Sequence, residues 1–314
     1  MEDMTENIKI NNIVGWAGCK AKLMNLLFEK FPKDINTYYE PFMGGASVLN
    51  RLLSELEAGN ISINKIKVND VNKGVIALYK NIKNNLDNLI DKIDEYVDTF
   101  NQTEEIQYES RHKWVIEEDD TIDDIIPKGR LYLYYFYRNM YNFGDIDDTE
   151  RAALFLILNK TCYKSIWSEN QFGFATPYAH ACISSRVFNE NEFIHLNQLL
   201  NDYKVEFHST DFMKFCDVKK MHTTDFLYLD PPYYPESKTY FTKYTADGFK
   251  EKHDDVVKLC NDLDKKGIKF LQSNSATDYV FEKYDNFNIE EVVRRGGINN
   301  YNDVYETLIY NYKY

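Results

Sequence analysis

The chain has 314 residues, 44% hydrophobic and 28% charged, enough for one large core that also carries a sizeable inserted domain. No run of about 18 apolar residues exists, which excludes a membrane span, and Met1-Glu2-Asp3-Met4 lacks the basic and apolar regions of a secretory leader. The net charge of −13 weighs against a polyanionic partner, but 13 Asp or Glu against three Lys or Arg fall between Asp91 and Asp124, so the acid is concentrated where it can face away from a nucleic acid.

Residues 22–30 read as a short amphipathic helix stopped near Pro32. An apolar strand at Tyr38-Tyr39 runs into Glu40-Pro41-Phe42-Met43-Gly44-Gly45. From Ser47 a helix carries Val48, Leu49, Leu52, Leu53 and Leu56 on one face, with Gly59 just beyond it. The strand Ile66-Lys67-Val68 then ends in Asn69-Asp70. Strand, glycine turn, helix, strand and terminal carboxylate form the opening βαβ of a nucleotide-binding sheet. Residues 75–190 lack that alternation. They are helical in pattern, aromatic and charged, with a cluster from Tyr132 to Arg138, a helix around 149–160 and a turn-rich stretch from Tyr163 to Pro177. Sheet patterns return at Val205–His208 and Phe226–Leu229. A helix near 250–266, the strand Lys269-Phe270-Leu271 and two antiparallel strands, Ile289–Arg294 and Glu306–Tyr312, follow, the last two joined by a Gly- and Asn-rich loop. The expected fold class is α/β: a Rossmann-like sheet from residues 1–74 and 193–314, interrupted by a mainly helical domain of residues 75–192.

Ligands of open α/β sheets bind at the carboxyl ends of the strands, and three segments put functional groups there. Gly44 and Gly45 let the backbone approach a ligand, or merely make a packing turn. Asp70, 26 residues after Gly44, can accept hydrogen bonds from both hydroxyls of a ribose, or cap the helix that follows. Asp230-Pro231-Pro232-Tyr233 is sharper. Two prolines after an apolar strand cannot continue a ladder, so the chain leaves as a stiff loop that fixes Asp230 at the strand tip. A carboxylate beside a backbone carbonyl accepts both hydrogens of a planar –NH2 group, and Tyr233 offers a stacking face worth roughly 1–3 kcal/mol. The alternative is a rigid turn with a solvated Asp and a core Tyr.

These segments resemble the Dam-type, α-group DNA adenine-N6 methyltransferases across nearly the whole chain. Gly15-Trp16-Ala17-Gly18-Cys19-Lys20 is similar to the family's N-terminal element, which implies cofactor contacts from Trp16 and Lys20; Cys19 replaces its second glycine. Glu40 through Val48 resembles the cofactor loop, implying roles for Glu40, Phe42, Gly44, Gly45 and Ser47. Asn69-Asp70-Val71-Asn72 resembles the ribose segment, Thr210-Asp211-Phe212 the element beside the cofactor adenine, Asp230 to Tyr233 the catalytic tetrapeptide, and Ser273-Asn274-Ser275 a short polar strand end. The resemblance implies S-adenosyl-L-methionine as cofactor, bound in part by Asp70, Asp211, Phe212 and Asp230, and a target-recognition insert containing a β-hairpin.

Within the insert, Arg138-Asn139-Met140-Tyr141-Asn142 is similar to the family's Arg-x-x-Phe-Asn, and Asn159, Lys160 and Cys162 through Pro177 resemble its DNA-entering hairpin. The DNA-binding residues so implied are Arg138, Asn142, Asn159, Lys160, Lys164, Ile166, Ser168, Asn170 and Pro177. Where the family often carries a Leu wedge and an Arg on guanine, this chain has Ile166 and Ser168. Ile can still act as a wedge, but Ser cannot make the bidentate contact worth roughly 1–3 kcal/mol, so the family's familiar GATC site is not implied. Lys160, Lys164, Arg138 and Arg151 are either phosphate contacts or a solvated face.

The five cysteines (Cys19, Cys162, Cys182, Cys216, Cys260) are scattered without Cys-x-x-Cys spacing. They predict no disulfide framework and no metal site, and fit a reducing compartment: the cytoplasm, or the nucleus or a viral factory in a eukaryotic or viral setting. The dispersed histidines, His208 and His253 among them, read as core or surface residues. The expected partner is double-stranded DNA, with or without a cognate restriction endonuclease. Methylation of cytosine N4 or of an RNA base uses the same tetrapeptide chemistry, and a non-catalytic binding module is opposed by the intact tetrapeptide. A dinucleotide oxidoreductase lacks its Gly-x-Gly-x-x-Gly.

Overall fold

The computed structural model describes residues 10–18, 20, 23–109, 115–179, 187–234, 249–294 and 304–314. Cys19, Cys182 and the Gly- and Asn-rich loop at 295–303 lie outside the described residues, as do residues 110–114 of the acidic segment. In chain order, α1 (Met24–Lys30) leads to β1 (Asp34–Glu40), α2 (Ser47–Glu57) and β2 (Ser62–Asn69). Then come α3 (Lys73–Asn84), α4 (Leu86–Gln102), α5 (Ile122–Ile125), α6 (Gly129–Phe143) and α7 (Asp148–Thr161), followed by β3 (Glu169–Asn170), β4 (Gly173–Phe174) and α8 (Glu190–Asp202). The chain ends with β5 (Glu206–His208), α9 (Phe212–Phe215), β6 (Phe226–Leu229), α10 (His253–Lys265), β7 (Lys269–Ser275), α11 (Asp278–Lys283), β8 (Asn288–Arg294) and β9 (Val304–Tyr310). No helix among the described residues is long and apolar enough to cross a membrane.

Contacts divide the chain into two compact units, residues 19–72 with 199–314 and residues 1–18 with 73–198. The first is built on a sheet in the order β5-β2-β1-β6-β7-β9-β8. β5, β2, β1, β6 and β7 are parallel, and β9 runs antiparallel to both β7 and β8. β6 is buried at all four positions and β7 at all but Lys269, the pattern of strands covered on both faces. From β1 the chain moves outward through β2 to β5, while β6 and β7 extend the sheet the other way. The β1–β6 boundary is therefore the topological switch point, where ligands of open α/β sheets bind. Beside it, α2 buries the expected Val48, Leu49, Leu52, Leu53 and Leu56.

The second unit is organised by α7. Its residues from Ala152 to Asn159 are all buried, and a helix apolar all round belongs inside a core. Asp147 caps it, its carboxylate accepting from the backbone N–H of Thr149 and Glu150 at 2.8 Å each. The aromatic run from Tyr132 lies in α6 and buries Leu133, Tyr134, Tyr135 and Tyr137, as its spacing predicts. The turn-rich stretch contains a tight antiparallel pair, β3 with β4. The boundaries differ from those read in the sequence: residues 73–74 and 193–198, expected with the sheet, group with the helical unit, and so do residues 10–18. For residues 10–18 the reason is a bond across 144 residues of chain, in which the Asn159 side chain accepts from the Gly15 N–H and donates to the Gly15 carbonyl, both at 2.8 Å.

Gly74 in α3 marks the closest approach to that central helix. A Cβ there would lie 2.4 Å from a ring carbon of Phe155 and 2.4 Å from the Tyr141 hydroxyl. Gly→Ala within a helix ordinarily stabilises by about 0.5–1 kcal/mol, but overpacking a core costs about 1–3 kcal/mol. Gly74→Ala is therefore expected to lower the thermal unfolding midpoint, and a raised midpoint would refute this packing.

Candidate active site

Four segments converge at the carboxyl ends of β1, β2, β5 and β6. After β1 the chain turns through Gly44, at φ 52°, and Ala46, at φ 60°. The left-handed region costs Ala roughly 1–2 kcal/mol. The turn is held by the Gly44 N–H, which donates to Asp70 Oδ2 at 2.8 Å, and by the Ala46 N–H, which donates to the Met43 carbonyl at 2.9 Å. The other Asp70 oxygen accepts the Asn72 N–H at 2.8 Å. Asp70 is thus both the end of β2 and the clamp of the glycine turn, joining two segments that the sequence could only place in order. Asn69 ties in a third, donating to the carbonyls of Pro41 and Thr210 at 3.0 Å each and accepting the Thr210 N–H at 3.0 Å.

Beyond β5, Asp211 caps α9 through the Met213 N–H at 3.0 Å and pairs with Lys252 at 3.0 Å. Phe212 packs against Phe42, ring centroids 5.0 Å apart, and Phe249 touches both rings at 5.9 and 5.7 Å. Phe249 and Lys252 carry no motif and are not legible as site neighbours from the sequence.

Beyond β6, Asp230 Oδ1 meets the Lys20 ammonium at 2.9 Å; Lys20 is 4% exposed and Asp230 21%. The same ammonium lies 4.7 Å from the centroid of the Tyr233 ring. Tyr233 donates its hydroxyl to Glu306 Oε2 at 2.7 Å. The two prolines are followed by a second anchor, in which the Tyr234 N–H donates to Asn274 Oδ1 at 3.2 Å and Ser275 Oγ donates to the Tyr234 carbonyl at 2.7 Å. The polar end of β7 thereby holds the exit of the tetrapeptide. Glu306 went unassigned in the sequence, although a lone carboxylate inside the apolar run Tyr305-Glu306-Thr307-Leu308 was a usable signal.

Burial lifts the Asp230 carboxyl to about 6; the Lys20 charge and hydrogen bond oppose this and the Glu306 charge adds to it. Burial lifts Glu40 further, to about 8, opposed by the hydrogen bond from the Tyr38 hydroxyl at 2.9 Å and reinforced by the charges of Asp230 and Asp70. Near neutral pH the two carboxyls that end adjacent strands hold different protonation states, Glu40 neutral and Asp230 ionised.

The sequence profile of D12 class N6 adenine-specific DNA methyltransferases matches residues 16–298. The chain is 32% identical to the type II methyltransferase M.MjaIII of Methanocaldococcus jannaschii, over 97% of this chain and all of that one. It is 26% identical to the type II methyltransferase M1.LlaDCHI of Lactococcus lactis, over 91% of this chain and 88% of that one. The DNA adenine methylase of Escherichia coli is also 26% identical, over 89% and 86% of the two chains. The chain belongs to the D12 class of N6 adenine-specific DNA methyltransferases.

In this methyltransferase the remaining expected residues lie in the helical unit. Asn142 accepts the Phe174 N–H at 2.9 Å and donates to the Phe174 carbonyl at 3.0 Å, bracing β4 against α6. Arg138 lies over the Tyr135 ring at 4.5 Å and points toward the Ala175 carbonyl. Both line a concavity of about 350 Å³ together with Asn170 and the exposed Phe143 and Phe172. Trp16 packs on Phe155 at 6.5 Å, so it belongs to this unit rather than to the sheet. Asn159 corrects the sequence expectation: it is fully buried and its amide is bonded to Gly15, leaving no surface for DNA. Lys160 is half-buried, which depresses its pKa, while Lys164, Asn170 and Pro177 are exposed and Ser168 is partly so. Ile166 is 41% exposed beyond a turn in which Lys164 and Ser165 both take positive φ.

The raised carboxyls carry a sign for stability. Each binds a proton more tightly folded than unfolded, so between the unfolded and folded pKa the native state holds more protons and stability falls as pH rises. For Glu40 that window runs from about 4.5 to about 8. The melting temperature is expected to fall across it, and Glu40→Gln is expected to flatten the decline. An unchanged slope in the variant would contradict a neutral Glu40.

Proposed function

We propose that this methyltransferase transfers the methyl group of S-adenosyl-L-methionine to the N6 amine of an adenine flipped out of a short duplex sequence, with Asp230, Pro231, Pro232 and Tyr233 holding the amine. The observation that carries the reading is Asp230 at the switch point, partly exposed, ion-paired through Oδ1 and followed by a doubly anchored loop.

The residues at the strand ends fit the donor. Asp70 ends β2 against the glycine turn, its two oxygens accepting the Gly44 and Asn72 N–H, and a carboxylate at such a strand end suits the hydroxyls of a ribose. Phe42, Phe212 and Phe249 supply an apolar aromatic wall for a purine, and Gly44 and Gly45 let the backbone approach with no side chain between. Glu40, Ser47 and Asp211 complete the set as acceptors, and Lys20 as a cation for the ligand's carboxylate. When bound, S-adenosyl-L-methionine supplies an electrophilic methyl carbon, to which the amine nitrogen bonds as the carbon–sulfur bond breaks.

The protein's contribution is orientation. With Oδ1 on Lys20, Asp230 Oδ2 and the Pro231 carbonyl are the acceptors for the two amine hydrogens, which turns the nitrogen lone pair out of the base plane. Tyr233 offers its ring to the base, offsetting the few kcal/mol spent on unstacking it. Holding both reactants in a near-attack geometry supplies much of the acceleration. The amine sheds its proton to water after transfer, so no general base is required.

The helical unit is proposed to read DNA through its hairpin, with Ile166 as an intercalating wedge and Lys160, Lys164, Arg138, Asn142, Asn170 and Pro177 around it. Ser168 replaces a guanine-reading Arg, which favours a recognition sequence other than GATC. Similarity to proteins named type II methyltransferases supports pairing with a cognate restriction endonuclease.

Asp230→Ala is expected to reduce methyl incorporation into DNA by at least about 1,000-fold while the donor's dissociation constant changes little. Incorporation of tritiated methyl groups and calorimetry measure the two quantities, and near-normal incorporation by this variant would remove the basis of the assignment.

A further inference from the structure

The strand β9 carries a carboxylate that the reaction as described does not use. Glu306 is 3% exposed in a strand whose other central positions are Thr307, Leu308 and Ile309. Burying a charge is unfavourable unless it is hydrogen-bonded or paired. Cross-strand pairing with Ser275 of β7 and Val292 of β8 fixes its backbone on both sides. Its carboxylate receives the Tyr233 hydroxyl at 2.7 Å.

We propose that Glu306 is a positioning residue for methyl transfer, setting the direction of the Tyr233 ring through the phenolic hydrogen bond; this rests on the reading of Tyr233 as the stacking face for the target base. The backbone on either side of Tyr233 is already fixed, by the two prolines before it and by the Tyr234 bonds to Asn274 and Ser275 after it. What those anchors leave open is the side-chain torsion. A phenolic oxygen lies on the axis about which the ring flips. A bond to it therefore fixes the axis, and a ring flip leaves the stacking plane equivalent. The acceptor comes from a strand paired on both sides and not from a loop, so the axis is referred to the same sheet that holds Asp230. A charged acceptor makes the bond stronger than a neutral pair would. Lys20, 4.7 Å from the ring centroid and 2.9 Å from Asp230, places a cation between the ring and the carboxylate. The four groups form one cluster with alternating charge.

Removing the bond from either end tests the idea in the full chain, with plasmid DNA from a methylation-free host and tritiated S-adenosyl-L-methionine. Glu306→Ala and Tyr233→Phe are each expected to lower kcat by about 10- to 100-fold, the size of one hydrogen bond to a charged group, with the donor's dissociation constant unchanged. The double variant is expected to be no worse than either single one. Glu306→Gln, which keeps an acceptor oxygen, is expected to recover most of the rate. A folded Glu306→Ala with kcat within twofold of wild type would overturn the proposal, as would additive losses or a loss confined to KM for DNA. If Glu306→Ala does not fold, Tyr233→Phe decides, and a rate within twofold of wild type refutes the role. Asp230→Ala assayed alongside separates the two readings: an active Asp230→Ala sinks the site assignment, whereas an inactive one beside an active Glu306→Ala sinks only the positioning role.

Discussion

A carboxylate at the tip of a buried strand is unfavourable unless something holds its charge, and at the end of β6 that something is Lys20. The pair is close, at 2.9 Å, and its lysine is almost wholly enclosed, so removing either partner strands the other in a poor solvent for ions. Asp230 lies within electrostatic reach of two other acids, Glu40 and Glu306. Geometry gives each a different partner. Asp230 touches the ammonium, whereas Glu40 has the Tyr38 hydroxyl, and burial drives its proton back on near neutral pH. Glu306 takes the hydroxyl of Tyr233. This distribution leaves Asp230 as the carboxylate held by the lysine at the end of β6.

The ion pair is useful only if the backbone beneath it is stiff. Proline torsions restrict the chain leaving β6, but two prolines alone would not fix where the loop ends. The polar end of β7 does that. Gln272, Ser273, Asn274 and Ser275 are all buried, an expensive arrangement if their hydrogen bonds were unmade. Gln272 donates to the Tyr284 hydroxyl at 3.0 Å, Ser273 meets the Tyr228 hydroxyl at 2.9 Å, and Asn274 and Ser275 hold Tyr234. The strand interior is thus a polar network, and part of it binds the loop that follows Asp230. Asp70 plays the same double role on the other side of the switch point, closing the glycine turn with one carboxylate oxygen and holding the Asn72 N–H with the other.

Much of this was legible because it is local. The stripe from Val48 to Leu56 follows helical periodicity, β6 is an unbroken apolar run, and a strand-end Asp before two prolines has few other readings. What escaped detection is tertiary. Asn159 reads as a hairpin residue from its neighbours, yet its amide serves Gly15 far away in sequence. That bond also explains why residues 10–18 leave the sheet unit to which chain order assigns them. Phe249 and Lys252 follow a segment without motif and matter only because they meet Phe42 and Asp211. Glu306 stands out in its strand as a lone carboxylate, but nothing local in the sequence names Tyr233 as its partner.

The same distinction separates the chemistry from the address. Orienting an amine for attack admits few solutions, so groups suited to it can be read in one sequence. Reading a base sequence admits many, since any side chain on a two-stranded hairpin can meet a base edge or respond to duplex shape. At position 168 the hairpin is held by bonds that do not involve the side chain. The Ser168 carbonyl is bonded to the Ala175 N–H at 2.9 Å, and the Asn170 side chain accepts the Phe172 N–H at 2.8 Å. These bonds shape the hairpin whatever side chain stands at 168. A position held by its backbone is free to change its side chain without loss of the fold.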